Sequence, residues 1–186
     1  MRRILTAATG LVLGAGVQPG ATISLGSAHT HETASQRAFI NQVAPGAMAA
    51  QARYGIPAAV TIAQAIEESR WGHSPLAVRD HNLFATKGTS PAGARFRVYH
   101  NVAECSTDHA KLLATSPAYH QAMASRHRPD AFANALTGVY ATDPQYGTRL
   151  IAIMRLYNLY KYDVTAAPAP TLNVPPGLSR SPSRIP

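Results

Sequence analysis

The segment from Ala58 to about Ser69 constrains the fold more than any other stretch of the chain. Pro57 can open a helix here. At about 100° per residue, Ile62, Ile66 and the surrounding alanines cover most of the helix circumference. A helix that is apolar on nearly all sides must be buried by other elements. We therefore predict a central helix with further helices packed around it.

Two more helices are predicted ahead of this one. Ser35 can cap a helix that runs to about residue 44. Pro45 suits the first turn of a second helix, because proline lacks the N–H that an interior position uses. That helix is expected to end at Tyr54, since Gly55 follows and glycine commonly terminates helices.

The second half of the chain is also predicted to be mainly helical. A helix is expected over residues 102–113, with Leu112 and Leu113 facing inward, and another over residues 116–123. Strand character is confined to residues 82–85 and 96–99, so the predicted fold class is mainly α. Asp143 and Pro144 resemble a cap and a first-turn proline of a long helix. The predicted inward face of that helix comprises Tyr146, Leu150, Ile153 and Tyr157.

Two changes in composition separate a central unit from its flanks. Residues 1–28 begin with Arg2 and Arg3, continue with an apolar run too short to span a membrane, and end in small residues. This order is typical of a secretory signal peptide, so we expect export and no integral membrane segment after processing. Residues 164–186 contain six prolines and no acidic residue, which predicts a disordered tail. The folded domain is predicted over residues 35–163.

The basic excess of the chain narrows the class of partner. Seventeen Lys and Arg against nine Asp and Glu give a formal net charge of +8. Within residues 35–163 the balance is 13 − 8 = +5, and the basic residues are scattered, without the run typical of a nucleic-acid patch. An acidic cell-wall polymer suits this charge. We expect no nucleic-acid partner, and we expect a monomer.

The cysteine and histidine content predicts no metal site and no cofactor. Cys105 is the single cysteine, which excludes an intrachain disulfide and a zinc site built on paired cysteines. No two of the eight histidines have i,i+4 spacing with a nearby acid, the pattern of a zinc hydrolase. Cys105 is expected to be a small buried residue rather than a nucleophile.

Glu67 and Glu68 end the predicted central helix and are the strongest candidates for chemistry. A carboxyl held in apolar surroundings has its charged form disfavoured, so its pKa rises toward the value that a general acid needs. The negative end of the helix dipole acts in the same direction. Adjacent residues point about 100° apart, so the two carboxyls cannot line one site together. The periodicity of the helix does not choose between them.

Five separated motifs of the chain resemble the glucosaminidase family of peptidoglycan hydrolases, glycoside hydrolase family 73. The resemblance covers residues 39–163, and the motifs follow the order of the family. They are Tyr54-Gly55-Ile56-Pro57 with Ile62-Ala63-Gln64-Ala65, Glu68-Ser69-Arg70-Trp71-Gly72, Asn82-Leu83-Phe84 with Lys87-Gly88, Phe96-Arg97-Val98-Tyr99, and Tyr140-Ala141-Thr142-Asp143-Pro144 with Tyr146.

The resemblance implies a mainly α, lysozyme-like helical domain with a small, shortened β-hairpin lobe. It implies an endo-β-N-acetylglucosaminidase that cleaves the β-1,4 bond between N-acetylglucosamine and N-acetylmuramic acid in peptidoglycan glycan strands. The family's catalytic acid falls on Glu68, and a second cleft residue, which positions groups or stabilises charge, falls on Tyr140. The residues expected to bind substrate are Asn82, Phe84, Trp71 and Tyr146.

Departures from the family pattern affect the mechanism. Arg70 and Ala85 stand where the family has glycine, so we expect no backbone conformation there that requires glycine. The stretch 89–95 is a shortened hairpin without the carboxylate that often serves as the second acid. We therefore favour attack by the substrate's own acetamido oxygen, or by a water that Tyr140 positions. Asp80, Glu104 and Asp108 are other carboxylates, expected to be surface charges.

Two alternative functions remain open at this point. A lytic transglycosylase would keep the fold but let the muramyl 6-hydroxyl attack, leaving 1,6-anhydro ends. A non-catalytic peptidoglycan-binding or assembly module would account for the missing second acid.

Overall fold

The computed structural model describes residues 32–88 and 95–163. The predicted signal peptide at 1–28, the predicted tail at 164–186 and residues 89–94 of the predicted short hairpin lie outside the described residues. Within the described part no helix is long and apolar enough to cross a membrane. The structure confirms the mainly α fold class. Its helices are α1 (Ala34–Tyr54), α2 (Ala58–Ser69), α3 (Pro75–Asp80), α4 (Val102–Thr115), α5 (His120–Ala124), α6 (Pro129–Ala135) and α7 (Tyr146–Leu156), with 3-10 turns at Pro117–Tyr119 and Leu159–Tyr162.

Helix α2 lies at the centre of the fold, as its composition predicts. Every residue from Ala58 to Ile66 is buried, and α1, α7 and the 3-10 turn at Leu159–Tyr162 pack against it. Burying a side chain the size of isoleucine contributes about 1.5–3 kcal/mol relative to leaving it exposed. The apolar circumference of α2 therefore stabilises the whole domain. Its predicted bounds are those of the structure.

Helix α1 corrects the prediction of two separate helices ahead of α2. It is continuous over 21 residues with Pro45 in its interior, and Thr33 rather than Ser35 is its N-cap. Proline removes one backbone hydrogen bond, but buried residues on both sides of it pack α1 against α4. Gly46 permits a close approach, because a Cβ there would lie 3.0 Å from the Cα of Ala103. Packing on both sides keeps the helix continuous.

The second half of the chain is mainly helical, with corrections in detail. Leu112 is 41% exposed, whereas Leu113 is buried as predicted. Helix α7 begins at Tyr146 and is not capped directly by Asp143. The Asp143 carboxylate accepts a hydrogen bond of 2.8 Å from the Gln145 N–H, which closes a turn ahead of the helix. Helices α3 and α6 lie where no helix is predicted, because both are too short for periodicity to mark them.

The hairpin lobe consists of two very short strands, β1 (Lys87–Gly88) and β2 (Arg95–Phe96). They pair antiparallel, with Lys87 opposite Phe96. Of the predicted strand residues only Phe96 lies in a strand, and residues 82–85 form a turn instead. The small hairpin that the resemblance implies is thus present, displaced by a few residues from the predicted strands.

Candidate active site

A cleft of about 650 Å³ opens beside α4, the C-terminal end of α2 and the segment that leads into β1. This volume lies within the range of about 300–1,000 Å³ that is usual for ligand sites. Aromatic side chains line part of it and charged side chains the rest, which suits a polar ligand with apolar faces, such as a sugar. The aromatic and charged residues are Phe84, His109, Tyr119, Tyr140, Glu68, Lys87, Arg97, Asp108 and Lys111.

Glu68 lies on the last turn of α2 and lines the cleft with a partly buried side chain. The Tyr146 hydroxyl donates a hydrogen bond of 2.7 Å to Glu68 Oε1. Burial raises the pKa of the Glu68 carboxyl above its usual value, and the neighbouring Glu67 adds to the rise, while the bond from Tyr146 and the charge of Arg149 oppose it. Such a carboxyl can hold a proton and deliver it to a ligand in the cleft.

Glu67 is engaged by a different element. Arg149 of α7 donates from Nε to Glu67 Oε1 at 2.8 Å and from Nη1 to Asp143 Oδ2 at 2.7 Å. Glu67 is not among the described residues that line the cleft. The structure thus separates two carboxyls that periodicity leaves undecided. Glu68 lies at the cleft, and Glu67 belongs to an ion-pair network on the surface.

A row of buried polar side chains lies behind Glu68. Gln64 Nε2 donates to the Tyr146 hydroxyl oxygen at 3.1 Å, and Gln64 Oε1 lies 3.0 Å from His109 Nε2. Burial lowers the pKa of His109 to about 3, so its imidazole is neutral near pH 7. Tyr146, predicted to bind substrate, is buried and holds Glu68 instead of lining the cleft. Sequence reasoning missed the row because its members come from three helices.

Phe84 and Tyr140 both line the cleft, as residues expected to contact substrate should. Phe84 stacks on His109, with ring centroids 3.8 Å apart. Tyr140 stacks on Tyr146 at 5.6 Å, and its hydroxyl donates to the Phe84 carbonyl at 3.5 Å. Burial raises the pKa of Tyr140 well above its usual value, and the Glu68 charge adds to this. The phenol therefore stays neutral, and its one proton can leave the long bond to the Phe84 carbonyl for an acceptor on a ligand.

Asn82 and Trp71 were expected to bind substrate, but neither is among the described residues that line the cleft. Asn82 is buried, and its amide bonds the Thr86 N–H and the carbonyls of Thr86 and Arg97, each at 2.9 Å. It therefore ties the cleft segment after Phe84 to the chain after β2. Trp71 packs edge-on against two aromatic rings, from α1 and from the end of α7. In this arrangement both residues support the cleft from behind.

The backbone at Arg70 and Ala85, which replace family glycines, does adopt a conformation that favours glycine, contrary to expectation. Arg70 has φ 52° and Ala85 has φ 50°, in the left-handed region that favours glycine. The Arg70 N–H donates to the Ile66 carbonyl and so terminates α2 directly after Glu68 and Ser69. Other residues can adopt this conformation, at a cost of about 1–2 kcal/mol. The local fold needs the conformation, and these side chains tolerate it.

Asp108 of α4 is a second carboxylate in the cleft. Arg97 Nη1 lies 2.8 Å from each of its oxygens, and the Tyr99 hydroxyl donates to Oδ2 at 2.7 Å. Asp80 and Glu104, the other two carboxylates considered, are not among the described residues that line the cleft. Nothing local distinguishes Asp108 in the sequence from a surface charge, since the fold alone brings it here. Among the described residues no cluster of three acidic, His or Cys side chains could hold a metal ion.

Comparison with known families matches residues 44–159 to the glucosaminidase family, described as mannosyl-glycoprotein endo-beta-N-acetylglucosaminidase. The matched range is well over half of the chain and includes every residue that lines the cleft. The chain belongs to the glucosaminidase family. The resemblance that the sequence motifs carry is thereby confirmed.

Relatives in this family are longer proteins. The chain is 31% identical over 160 residues to the exo-glucosaminidase LytG of Bacillus subtilis, covering 74% of this chain and 57% of that protein. It is 36% identical over 156 residues to a probable N-acetylmuramidase of Lactococcus lactis subsp. lactis, covering 70% of this chain and 36% of that protein. The chain therefore spans 57% and 36% of the length of these two relatives.

A solved member of the glucosaminidase family has the same fold. The catalytic domain of the autolysin Auto of Listeria monocytogenes superposes with a TM-score of 0.63 at 30% identity, covering 72% of this chain and 90% of that one. The lysozyme-like helical fold that the resemblance implies is therefore confirmed. The share of the Listeria domain that is covered shows that the described helices make up nearly a whole domain of this kind.

Proposed function

We propose that the protein is a peptidoglycan hydrolase, an endo-β-N-acetylglucosaminidase with Glu68 as general acid. The observation that carries the proposal is the partly buried Glu68 carboxyl at a cleft of about 650 Å³, with its pKa raised by burial. Membership of the glucosaminidase family supports the reaction class, and the names of the relatives support a cell-wall glycan as substrate.

The first step is protonation of the leaving group. Glu68 gives its proton to the glycosidic oxygen of the β-1,4 bond while that oxygen departs from the anomeric carbon. Tyr146 holds Oε1 of the carboxyl at 2.7 Å, which fixes the orientation of the acid. The remaining negative charge on Glu68 is then stabilised by the same hydrogen bond.

The acetamido oxygen of the substrate is the favoured nucleophile. Asp108 lines the cleft, but Arg97 and Tyr99 occupy both of its oxygens, which makes attack by this carboxylate on carbon unfavourable. The acetamido oxygen attacks the anomeric carbon and closes an oxazolinium ring as the glycosidic bond breaks. Water then opens the ring and returns a proton to Glu68. The neutral Tyr140 hydroxyl can donate to the acetamido group or to this water in place of its long bond to the Phe84 carbonyl.

The acid role is tested with a pair of single variants. Glu68→Gln should abolish clearing in a gel that contains peptidoglycan, because the protons of an amide are not acidic enough to transfer to the leaving group. Glu67→Gln is the matched control and should retain most of the activity, since Glu67 bonds Arg149 on the surface. If Glu68→Gln clears the gel as well as the wild type does, the acid assignment fails.

The cleaved bond is tested by the new chain ends. We propose the bond that leaves N-acetylglucosamine at the reducing end, whereas the name of the Lactococcus relative favours a muramidase as the second candidate. Borohydride reduction followed by mass spectrometry distinguishes the two. Reduced N-acetylmuramic acid would establish the muramidase reaction, and 1,6-anhydro ends would establish a transglycosylase.

The nucleophile is tested separately with an inhibitor. A thiazoline analogue of the oxazolinium intermediate should inhibit competitively if the acetamido oxygen attacks. Full activity in a saturating concentration of this analogue would instead support attack by water.

We also propose that the protein acts outside the cytoplasm, where peptidoglycan lies. The order of charged, apolar and small residues in 1–28 supports export. Expression of the full chain with a C-terminal tag, followed by fractionation and mass spectrometry, should yield an exported form that lacks these residues. A cytoplasmic protein with an intact N-terminus would contradict this.

A further inference from the structure

The hydrogen bonds of the polar row behind Glu68, formed by His109, Gln64 and Tyr146, all run in one direction. An amide nitrogen only donates and an amide oxygen only accepts. Because Gln64 Nε2 bonds the Tyr146 hydroxyl, the tyrosine oxygen accepts there and its own proton is directed to Glu68 Oε1. Because Gln64 Oε1 faces His109 Nε2, that nitrogen must carry the imidazole proton. Each donor in the row therefore points from His109 towards Glu68.

Burial makes this direction depend on the tautomer of His109. His109, Gln64 and Tyr146 are 1%, 0% and 2% exposed, so water does not compete for their polar atoms. A neutral imidazole has one N–H, and with the proton on Nε2 it matches the Gln64 amide as it stands. With the proton on Nδ1 the amide would turn and present its oxygen to Tyr146. The tyrosine would then donate to Gln64 and leave Glu68 without this bond.

We propose that His109 and Gln64 are positioning residues that act on Glu68 through Tyr146, and that the row assigns the transferable proton of Glu68 to Oε2. Oε1 accepts the hydrogen bond from Tyr146, and an acid proton on the same oxygen would make it a weaker acceptor for the tyrosine. With the proton on Oε2, every donor in the row keeps an acceptor. This inference rests on the proposed acid role of Glu68.

The row also predicts how the pH profile responds to its removal. The groups that face Glu68 from the elements around it are Glu67, Arg149, Tyr146 and Tyr140. The bond from Tyr146 lowers the pKa of Glu68, so its loss must raise that pKa. Because the acid works in its protonated form, the alkaline limb of kcat should move to higher pH.

The test is a double-mutant cycle in the full chain. His109→Phe keeps an aromatic ring for Phe84 but removes the donor, and Tyr146→Phe removes the bond to Glu68 directly. Each should lower kcat about tenfold, leave KM within about twofold and move the alkaline limb upward. The double variant should be no worse than Tyr146→Phe alone, because His109 acts through the tyrosine.

Two further variants complete the activity test. His109→Gln keeps an N–H donor near Nε2 and should recover most of the lost kcat, whereas His120→Phe, at an exposed position, should match the wild type. Additive losses in the double variant would overturn the proposal. So would a lowered melting temperature of His109→Phe with kcat and the alkaline limb unchanged.

Imidazole nitrogen NMR of the wild type tests the row without any need for activity. We expect His109 to be the neutral Nε2–H tautomer from about pH 5 to about pH 8. An Nδ1–H tautomer, or a charged ring in that range, would overturn the proposal even in an active enzyme. Absence of glycosidase activity with the Nε2–H tautomer in place would instead contradict the acid role of Glu68 and the positioning role that rests on it.

Discussion

The surroundings of Glu68 favour its protonated form, which suits the proposed acid role but costs stability when the carboxyl is charged. Its pKa is raised above the usual 4.5, mainly by burial. A carboxyl whose pKa is raised by folding makes the folded state less stable as pH increases from the unfolded pKa to the raised folded pKa. Glu68→Gln removes the charge and keeps an oxygen for Tyr146. We therefore expect this variant to gain stability over the wild type as pH rises.

Urea unfolding at about pH 4 and about pH 7 measures this effect. The advantage of Glu68→Gln should be small at the lower pH, where the wild-type carboxyl is mostly protonated in both states, and larger at the higher pH. Glu67→Gln is the control and should show no such gain, because the charge that it removes forms an ion pair with Arg149. An advantage for Glu68→Gln that is the same at both values would show that the charge is not the cause.

The backbone at Arg70 gives a second prediction for a single residue. Arg70 has φ 52°, and its side chain is exposed. Arg70→Gly should raise the free energy of unfolding by about 0.5–1 kcal/mol, since glycine adopts the left-handed conformation without a steric cost but has more freedom in the unfolded chain. Chemical denaturation checks this. Arg70→Ala keeps the left-handed strain and should change stability little. If alanine and glycine raise the free energy of unfolding equally, the gain comes from removing the arginine charge.

At the residue scale, the sequence identified the end of α2 as a candidate site but not the side chains that surround its two carboxyls. The pair Glu67 and Glu68 was identifiable because two carboxyls end an otherwise apolar helix. Their different environments come from Tyr146 and Arg149, which lie about 80 positions away on α7. The same reason explains why Asp108 was not distinguished from a surface charge. Contacts between distant elements leave no local pattern.

At the element scale, helix α2 depends on a cap from the far end of the domain. Pro57 occupies its N-cap position and makes no side-chain cap. The Asp163 carboxylate accepts a hydrogen bond from the Ala59 N–H at 2.9 Å and so takes the place of a local cap. The start of the central helix and the last described residue of the chain are thereby linked.

Removal of this remote cap should destabilise the domain. Asp163→Ala leaves a helix N–H without its acceptor and should lower the free energy of unfolding by about 1 kcal/mol. Asp163→Asn keeps the oxygen acceptor and should lose less than half of that amount. Chemical denaturation of the three proteins checks the prediction. Equal losses for alanine and asparagine would show that the hydrogen bond to Ala59 is not what matters.

Secondary structure could be predicted from the sequence where a long pattern marks it. The prediction failed where packing opposes a local rule. The bounds of α2 follow from composition alone. Pro45 is a local signal for a helix start, yet α1 continues through it because residues on both sides pack on α2 and α4. Asp143 is a local signal for a cap, but its carboxylate bonds the Gln145 N–H and Arg149 ahead of and within α7.

At the scale of the whole molecule, part of the positive charge of the protein lies in the cleft. The cleft carries Lys87, Lys111 and Arg97 against Glu68 and Asp108. Arg97 bonds Asp108, whereas neither lysine forms a salt bridge within the described part of the chain. A cleft with two unpaired cations attracts an anionic polymer, and salt should screen that attraction.

The position of Lys87 and Lys111 in the cleft predicts that these two lysines contribute to binding an anionic polymer. In a Glu68→Gln background, which removes the proposed general acid, Lys87→Ala with Lys111→Ala should weaken binding to purified sacculi about fivefold at low salt. The effect should fade as NaCl rises to about 0.5 M, since the Debye length then falls below the distance over which the cleft acts on the polymer.

The matched control removes the same charge elsewhere. Arg126 and Lys161 are exposed and lie outside the cleft lining, so Arg126→Ala with Lys161→Ala lowers the net charge equally. If the position of the charge matters, this control should bind sacculi nearly as well as the parent. Equal weakening in both double variants would mean that the overall net charge of +8, and not the cleft, attracts the wall. Attraction by net charge acts at long range and needs no particular site, whereas recognition in the cleft depends on the fold that brings Lys87 and Lys111 to one opening.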